Sequence, residues 1–223
     1  MTEKDFAGDV EYGVAAPSPG QTRPAWPRVP KGTAMRKLIV QQWVTVDNIA
    51  AEEDGGLSFV SGEPFDDEVT DDPFKNAVMG FIDSVDTMIL GANTYNQTKG
   101  YWPHAEEQGE YGRKLNNLTK FVASSKLDDA PWGDFSAAGV TRDPVATIRE
   151  LQERSGKDIW LWGSLTLMRS LLAAGVVDEV RMLVCPASRG TGTRVFEDRQ
   201  DLKLVEATGF DNGVALLRYQ IKK

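Results

Sequence analysis

Asp158 to Phe196 reads DIWLWGSLTLMRSLLAAGVVDEVRMLVCPASRGTGTRVF, and the fold can be worked out from this stretch. Ile159 to Trp162 is an apolar run too short for a buried helix but long enough for a strand covered on both faces. Gly163 follows at once and allows a turn without a Cβ in the way. Ser164 then stands as the expected N-cap of a helix over Leu165 to Ala174, with Leu165, Met168, Leu171 and Leu172 on one face. Gly175 closes that helix, and Glu179 to Cys185 reads as a second strand whose Val180, Met182 and Val184 alternate with polar or differently directed neighbours. The order is strand, helix, strand. Its tight turn leaves the backbone N–H groups of Leu165, Thr166 and Leu167 pointing out at a strand's carboxyl end, where a phosphate is favourably held. Strand-glycine-helix turns also occur in α/β domains that bind nothing there, so spacing alone leaves both readings open.

Working outward, Met1 to Ala34 carries five prolines from Pro17 to Pro30 and shows no period of 2 or 3.6 residues. It is expected to be an extension, either flexible or laid against the domain through Phe6, Tyr12 and Trp26. The fold proper should run from Met35 to Lys223. Lys37 to Val46 is a strand, followed by a long acidic loop from Ala50 to Asp67, which is expected to be mobile and to act as a lid or a solvated insertion. Asp71 or Asp72 caps a helix with Pro73 in its first turn and Phe74, Val78, Phe81 and Ile82 inward. Thr87 to Leu90 is a buried strand ending at Gly91, and the polar turn through Asn93 and Thr94 is a second candidate phosphate contact. A short polar helix is expected over Glu107 to Asn116. Thr119 to Ala123 is a strand ending in Ser124, Ser125 and Lys126, two hydroxyls and an ammonium that an exposed loop would also explain. A weak strand near Ser136 to Thr141, a helix from Pro144 to about Ser155, and a terminal hairpin over Leu202 to Thr208 and Val214 to Ile221 complete the chain. The expected fold is α/β, a mixed and mostly parallel sheet flanked by helices with a C-terminal antiparallel hairpin.

Composition narrows the chemistry. The 223 residues carry a net charge of −8, which disfavours a nucleic-acid or anionic-membrane surface. A single cysteine, Cys185, and the lack of an 18-residue apolar run point to a reducing, cytoplasmic setting. One histidine, His104, and no G-x-S-x-G leave little for a serine triad. One histidine and one cysteine make no ordinary zinc site, and no metal is expected. There is no G-x-x-x-x-G-K-[ST] loop. Hydride transfer from a nicotinamide needs none of these reagents, because the cofactor carries the difficult step.

GSLTLMRSLLAAGVVDEVRMLVCP followed by RGTGTRVF resembles the C-terminal signature of the dihydrofolate-reductase-like family, which includes the C-terminal reductase domain of bacterial riboflavin biosynthesis. The resemblance covers nearly all of Met35 to Lys223. It implies an NADPH-dependent reductase, with NADH also open, acting on a small heterocycle such as a pterin, folate or aminopyrimidine, and a homodimer. In that family the paired small residues, here Gly163 and Ser164, lie against the cofactor pyrophosphate. RKLIVQQWVTVDNIAA is similar to the first strand and the loop closing over the nicotinamide, which brings Asp47 and Ala50 to the site. MILGANTYNQTKGYWP resembles the L-G-R-x-T-Y segment, whose arginine and threonine approach the cofactor phosphates, and implies cofactor contacts from Gly91, Asn93, Thr94 and Tyr95. Ala92 stands where that pattern has arginine. FVASSKL is similar to the strand end that meets the adenosine 2′-phosphate, where Ser124, Ser125 and Lys126 partly offset the missing charge. The acidic residue that dihydrofolate reductase itself carries on the helix after the mobile loop has Asp71 and Asp72 as its nearest counterparts, although both also suit a helix cap. Trp43 and Trp162 would line a planar substrate or belong to the core. Two other readings stay open: a protein that keeps the fold and binds a ligand or partner without turnover, and a flavin-binding oxidoreductase.

Overall fold

The computed structural model describes residues 35–60, 72–104 and 109–222. The expectations for the extension before residue 35, for Asp71 and for the latter half of the acidic loop lie outside these residues.

Strands β1 (Leu38–Thr45), β2 (Ile49–Ala51), β3 (Val85–Gly91), β4 (Thr119–Ala123), β5 (Gly139–Thr141), β6 (Asp158–Trp162), β7 (Glu179–Cys185), β8 (Thr193–Arg194), β9 (Leu202–Gly209) and β10 (Ala215–Ile221) alternate with helices α1 (Pro73–Ser84), α2 (Ala92–Thr98), α3 (Gly109–Asn117), α4 (Pro144–Gln152) and α5 (Leu165–Ala173). Eight strands form one sheet in the order β5-β4-β3-β6-β1-β7-β10-β9. All pairs from β5 to β7 are parallel, and β10 runs antiparallel to β7 and β9. The mixed, mostly parallel sheet with a terminal hairpin is therefore the architecture found.

Alternation along β1 divides the core in two. Ile39 and Trp43 face the side covered by Phe74, Val78, Phe81 and Ile82 of α1 and by Tyr111 and Leu115 of α3. Leu38, Val40 and Val44 face Ile148 and Leu151 of α4 and Leu167, Met168 and Leu171 of α5. Ile159 and Leu161 on inner strand β6 are completely buried, each contributing about 1.5–3 kcal/mol. Asp72 accepts the Phe74 N–H at 2.8 Å and Asp143 the Ala146 N–H at 2.9 Å, so α1 and α4 each begin with a carboxylate cap and a proline.

On β7 Val180, Met182 and Val184 all pack in the second core, as their alternation predicts, and the other face of the strand buries Glu179, Arg181, Leu183 and Cys185. The charged pair is tolerated because Arg218 bonds Glu179 at 2.8 Å and Glu206 at 2.7 Å, while Arg181 donates to Gln41 at 3.1 Å and to the Ala77 carbonyl at 3.0 Å. Two expectations need correction. The acidic loop does not begin as a free lid. Ile49 and Ala51 of β2 pair with Arg194 and Thr193 of β8, and Phe59 is only 2% exposed. Finally, the polar turn after Gly91 is helical, forming α2.

After β3 the chain passes to α2 and α3, whose Tyr95, Tyr111 and Leu115 join the first core. After neighbouring β6 it passes to α5, in the second core. Two adjacent parallel strands thus send their connections to opposite faces, which opens a crevice at their carboxyl ends. Among the described residues no helix is long and apolar enough to cross a membrane.

Candidate active site

The crevice is framed by two glycine turns fastened to each other. Gly163 has φ +56° and Ser164 φ 57°, consecutive left-handed residues that swing the chain from β6 into α5. The Ser164 hydroxyl accepts the Gly91 N–H at 2.8 Å, donates to the Trp162 carbonyl at 3.0 Å and lies 2.9 Å from Thr94 Oγ1. Thr94 Oγ1 in turn accepts the Ser164 N–H at 3.1 Å. The approach is close: a Cβ on Gly91 would lie 3.3 Å from that of Ser164. Beneath the turn, buried Gln42 donates to the Gly163 carbonyl at 2.6 Å and to Met168 Sδ at 3.6 Å.

Ser164 was expected to cap α5 with its side chain. It occupies the N-cap position, but its hydroxyl is committed to the β3 turn and makes no cap bond. The first intrahelical bond runs from Met168 N to Ser164 O, so the N–H groups of Leu165, Thr166 and Leu167 precede it, with the positive end of the helix dipole aimed out of the turn. An anion fits this cradle. The side chain of Leu167 is buried, so its contribution is confined to the backbone, whereas Thr166 is exposed.

On the neighbouring turn Asn93 is exposed and Thr94 half-buried. Tyr95 corrects the expectation of a cofactor contact. It is 0% exposed, donates its hydroxyl to the Pro131 carbonyl at 2.7 Å and packs beside Trp132. One residue on from Thr94, about 100° of helical rotation turns it into the core.

At the end of β4 the Ser124 hydroxyl accepts the N–H groups of Lys126 and Leu127, both at 3.1 Å, and so shapes the turn. Ser125 and Lys126 are exposed beside it. Arg142, just past β5, donates to the Ser124 carbonyl and lies 3.3 Å from Asp128. This guanidinium adds a second cation to the cluster. Its position directly after a strand was the one available hint, and the sequence reading passed over it, as it did Gln42, a lone amide in an apolar strand.

The two nominated carboxylates have other work. Asp72 is the cap of α1. Asp47 accepts the hydroxyl of Thr45 at 2.5 Å, the Gly190 N–H at 2.7 Å and the hydroxyl of Ser188 at 2.9 Å, with the Arg189 N–H at 3.1 Å. These donors, Thr45 foremost and then Gly190, hold its carboxyl well below the usual carboxylate range. A group so fixed in the ionised form ties the β1–β2 turn to the β7–β8 connection and has no proton to give. Ala50, on β2, is 4% exposed in the second core.

Toward the first core the crevice wall is aromatic. Trp162 lies opposite Gln41 in the β1–β6 register, two residues before Trp43, and both indoles are half-buried. Trp43 meets Phe74 edge-on at 6.0 Å, and Trp162 meets Trp102 at 5.4 Å and stacks on Trp160 at 5.2 Å. Among the described residues the buried indole N–H of Trp160 has no partner.

Comparison with known proteins agrees with this geometry. The family described as RibD C-terminal domain matches residues 36–216. The protein YyaP of Bacillus subtilis (strain 168) is 26% identical over 190 residues, covering 82% of this chain and 94% of its own. Among solved structures, RibD from Acinetobacter baumannii superposes with a TM-score of 0.60 at 15% identity, over 85% of this chain and 59% of that longer one. Dihydrofolate reductase from Enterococcus faecalis, complexed with NADP(H) and RAB-propyl, gives 0.54 at 13% identity, over 84% and 97%. Both structural likenesses speak to the fold.

Proposed function

The chain belongs to the RibD C-terminal domain family, and from that premise we propose that it is an NADPH-dependent reductase that transfers hydride to a small heterocycle of the pterin, folate or aminopyrimidine kind. The observation that carries this reading is the pair of fastened turns: Gly91 and Gly163 at adjacent strand ends, locked by Ser164 and Thr94, beside the uncapped start of α5. A bound dinucleotide would supply the hydride. The chain's residues would hold and orient it: the N–H groups of Leu165 to Leu167 suit the pyrophosphate, and Ser125, Lys126 and Arg142 suit a 2′-phosphate. That cluster supports NADPH over NADH although Ala92 replaces an arginine. Trp43 and Trp162 offer a planar, apolar wall that would keep water from the transfer.

Edge strand β9 leaves Leu204 and Val205 about half exposed, which supports a homodimer through the terminal hairpin. Loss of nicotinamide absorbance with members of a heterocycle panel tests the catalytic reading, and sedimentation tests the dimer. A second reading has one specific support: both nominated carboxylates are taken up structurally, so a fold kept for binding without turnover predicts NADPH binding and no oxidation across that panel.

A further inference from the structure

Strand β1 lies inside the sheet, and Gln42 sits between Val40 and Val44 on its second-core face, only 4% exposed. Packing there asks for an apolar side chain, because a buried amide is unfavourable unless its hydrogen bonds are made. Gln42 directs both of its N–H groups at the turn between β6 and α5. One goes to the Gly163 carbonyl at 2.6 Å and the other to Met168 Sδ at 3.6 Å. A carbonyl oxygen and a thioether sulfur can only accept, so the amide has a single workable orientation.

The Gly163 carbonyl and the Ser164 N–H belong to one peptide plane. That plane is held at both ends, by Gln42 from beneath and by Thr94 Oγ1, which accepts the Ser164 N–H at 3.1 Å on the crevice side. The backbone alone would not choose this arrangement. It leaves Ser164 at φ 57°, one of two non-glycine residues with positive φ among those described, where the Cβ crowds the following carbonyl. Turning the plane over changes ψ of Gly163 and φ of Ser164 together and takes Ser164 out of the left-handed region. It would also point the Gly163 oxygen into the crevice, beside the N–H groups of Leu165 to Leu167, where its negative end repels an anion. The second bond of the amide reaches the helix itself. Met168 supplies the first intrahelical N–H, to the Ser164 carbonyl at 2.8 Å, so one side chain holds both the turn and the opening of α5.

We propose that Gln42 is a positioning residue whose amide selects the Gly163–Ser164 peptide orientation that keeps the carbonyl oxygen out of the crevice and leaves the start of α5 open to the phosphates of a dinucleotide. The ligand half of this rests on the crevice being a dinucleotide site; the choice of peptide orientation does not.

The test compares the full-length protein with Gln42→Met, which keeps an unbranched side chain and removes both donors, using Gln42→Asn as the second variant should the first not fold. Amide exchange at the Ser164 N–H, followed by NMR without ligand, reads the peptide plane. Titration with NADPH by tryptophan fluorescence, in conditions where urea denaturation shows the variant fully folded, reads the site. Exchange at Ser164 should quicken while the N–H groups of β6 keep their rates, and Kd for NADPH should rise about tenfold, the pre-organisation lost with one hydrogen bond. A purely structural role would lower the urea midpoint with Kd of the folded variant unchanged, and that result overturns the ligand half. Unchanged exchange at Ser164 in a folded variant overturns the hold on the peptide. If the unsubstituted protein binds no NADPH, the dinucleotide reading falls together with the ligand half, and exchange at Ser164 still decides the orientation.

Discussion

Removing the Ser164 hydroxyl leaves the Gly91 N–H without the acceptor it has at 2.8 Å and costs the Thr94 hydroxyl its partner at 2.9 Å. Ser164→Ala should therefore lower stability by about 1–2 kcal/mol in urea denaturation and loosen both turns together. Asp47 makes a different demand, since donors from Thr45 and from the β7–β8 connection depress its pKa. Its contribution is fully present above the unfolded carboxylate value of about 3.9 and is lost as pH falls toward the lower folded value. The stability gap between the protein and Asp47→Asn should shrink from pH 5 to pH 3; an unchanged gap would contradict the assigned bonds. Such roles were only half legible in the residues. GS after a strand announces a turn, but that Ser164 would reach sideways to β3 instead of forward to its own helix depends on a left-handed backbone and on which strand lies alongside. Tyr95 was misread for a similar reason, because a motif match gives no rotation about a helix that had not been recognised.

The uncapped start of α5 gives a test that separates binding from stability. Thr166→Asp puts a carboxylate in the first turn, where it complements the helix dipole by about 0.3–1 kcal/mol and repels a phosphate. Thermal unfolding should show a protein as stable as before or more so, and titration should show weakened NADPH binding; a fall in stability with intact binding would be the contrary result. Elements with a strong period or clear punctuation, such as α1 after Asp72-Pro73, α4 after Asp143-Pro144 and β4, were readable from the chain. The strand β7 was readable as well, but the burial of Glu179 on it was not, because Arg218, which makes it tolerable there, comes from another strand. The two-residue β8 and three-residue β2 exist only through each other, and local propensity over so few residues carries little information.

Across the whole molecule, the site gathers residues from five strand ends, β1, β3, β4, β5 and β6, together with the start of α5. The βαβ unit announced a parallel sheet, but nothing in the chain stated that β6 would insert between β3 and β1 and so bring Gly91 against Ser164. The same assembly places Arg142 beside Ser124, so Arg142→Ala should weaken NADPH by about tenfold, the loss of one charge-assisted contact, and leave NADH nearly unchanged; equal losses for both cofactors would remove the assigned 2′-phosphate contact. The claim on which the rest depends is that the paired glycine turns hold a nicotinamide dinucleotide. Titration with NADPH, followed by tryptophan fluorescence, tests it most directly, because Trp43 and Trp162 flank the crevice. Saturable quenching that weakens in Thr166→Asp is the predicted result, and no saturable quenching at millimolar NADPH or NADH would contradict it.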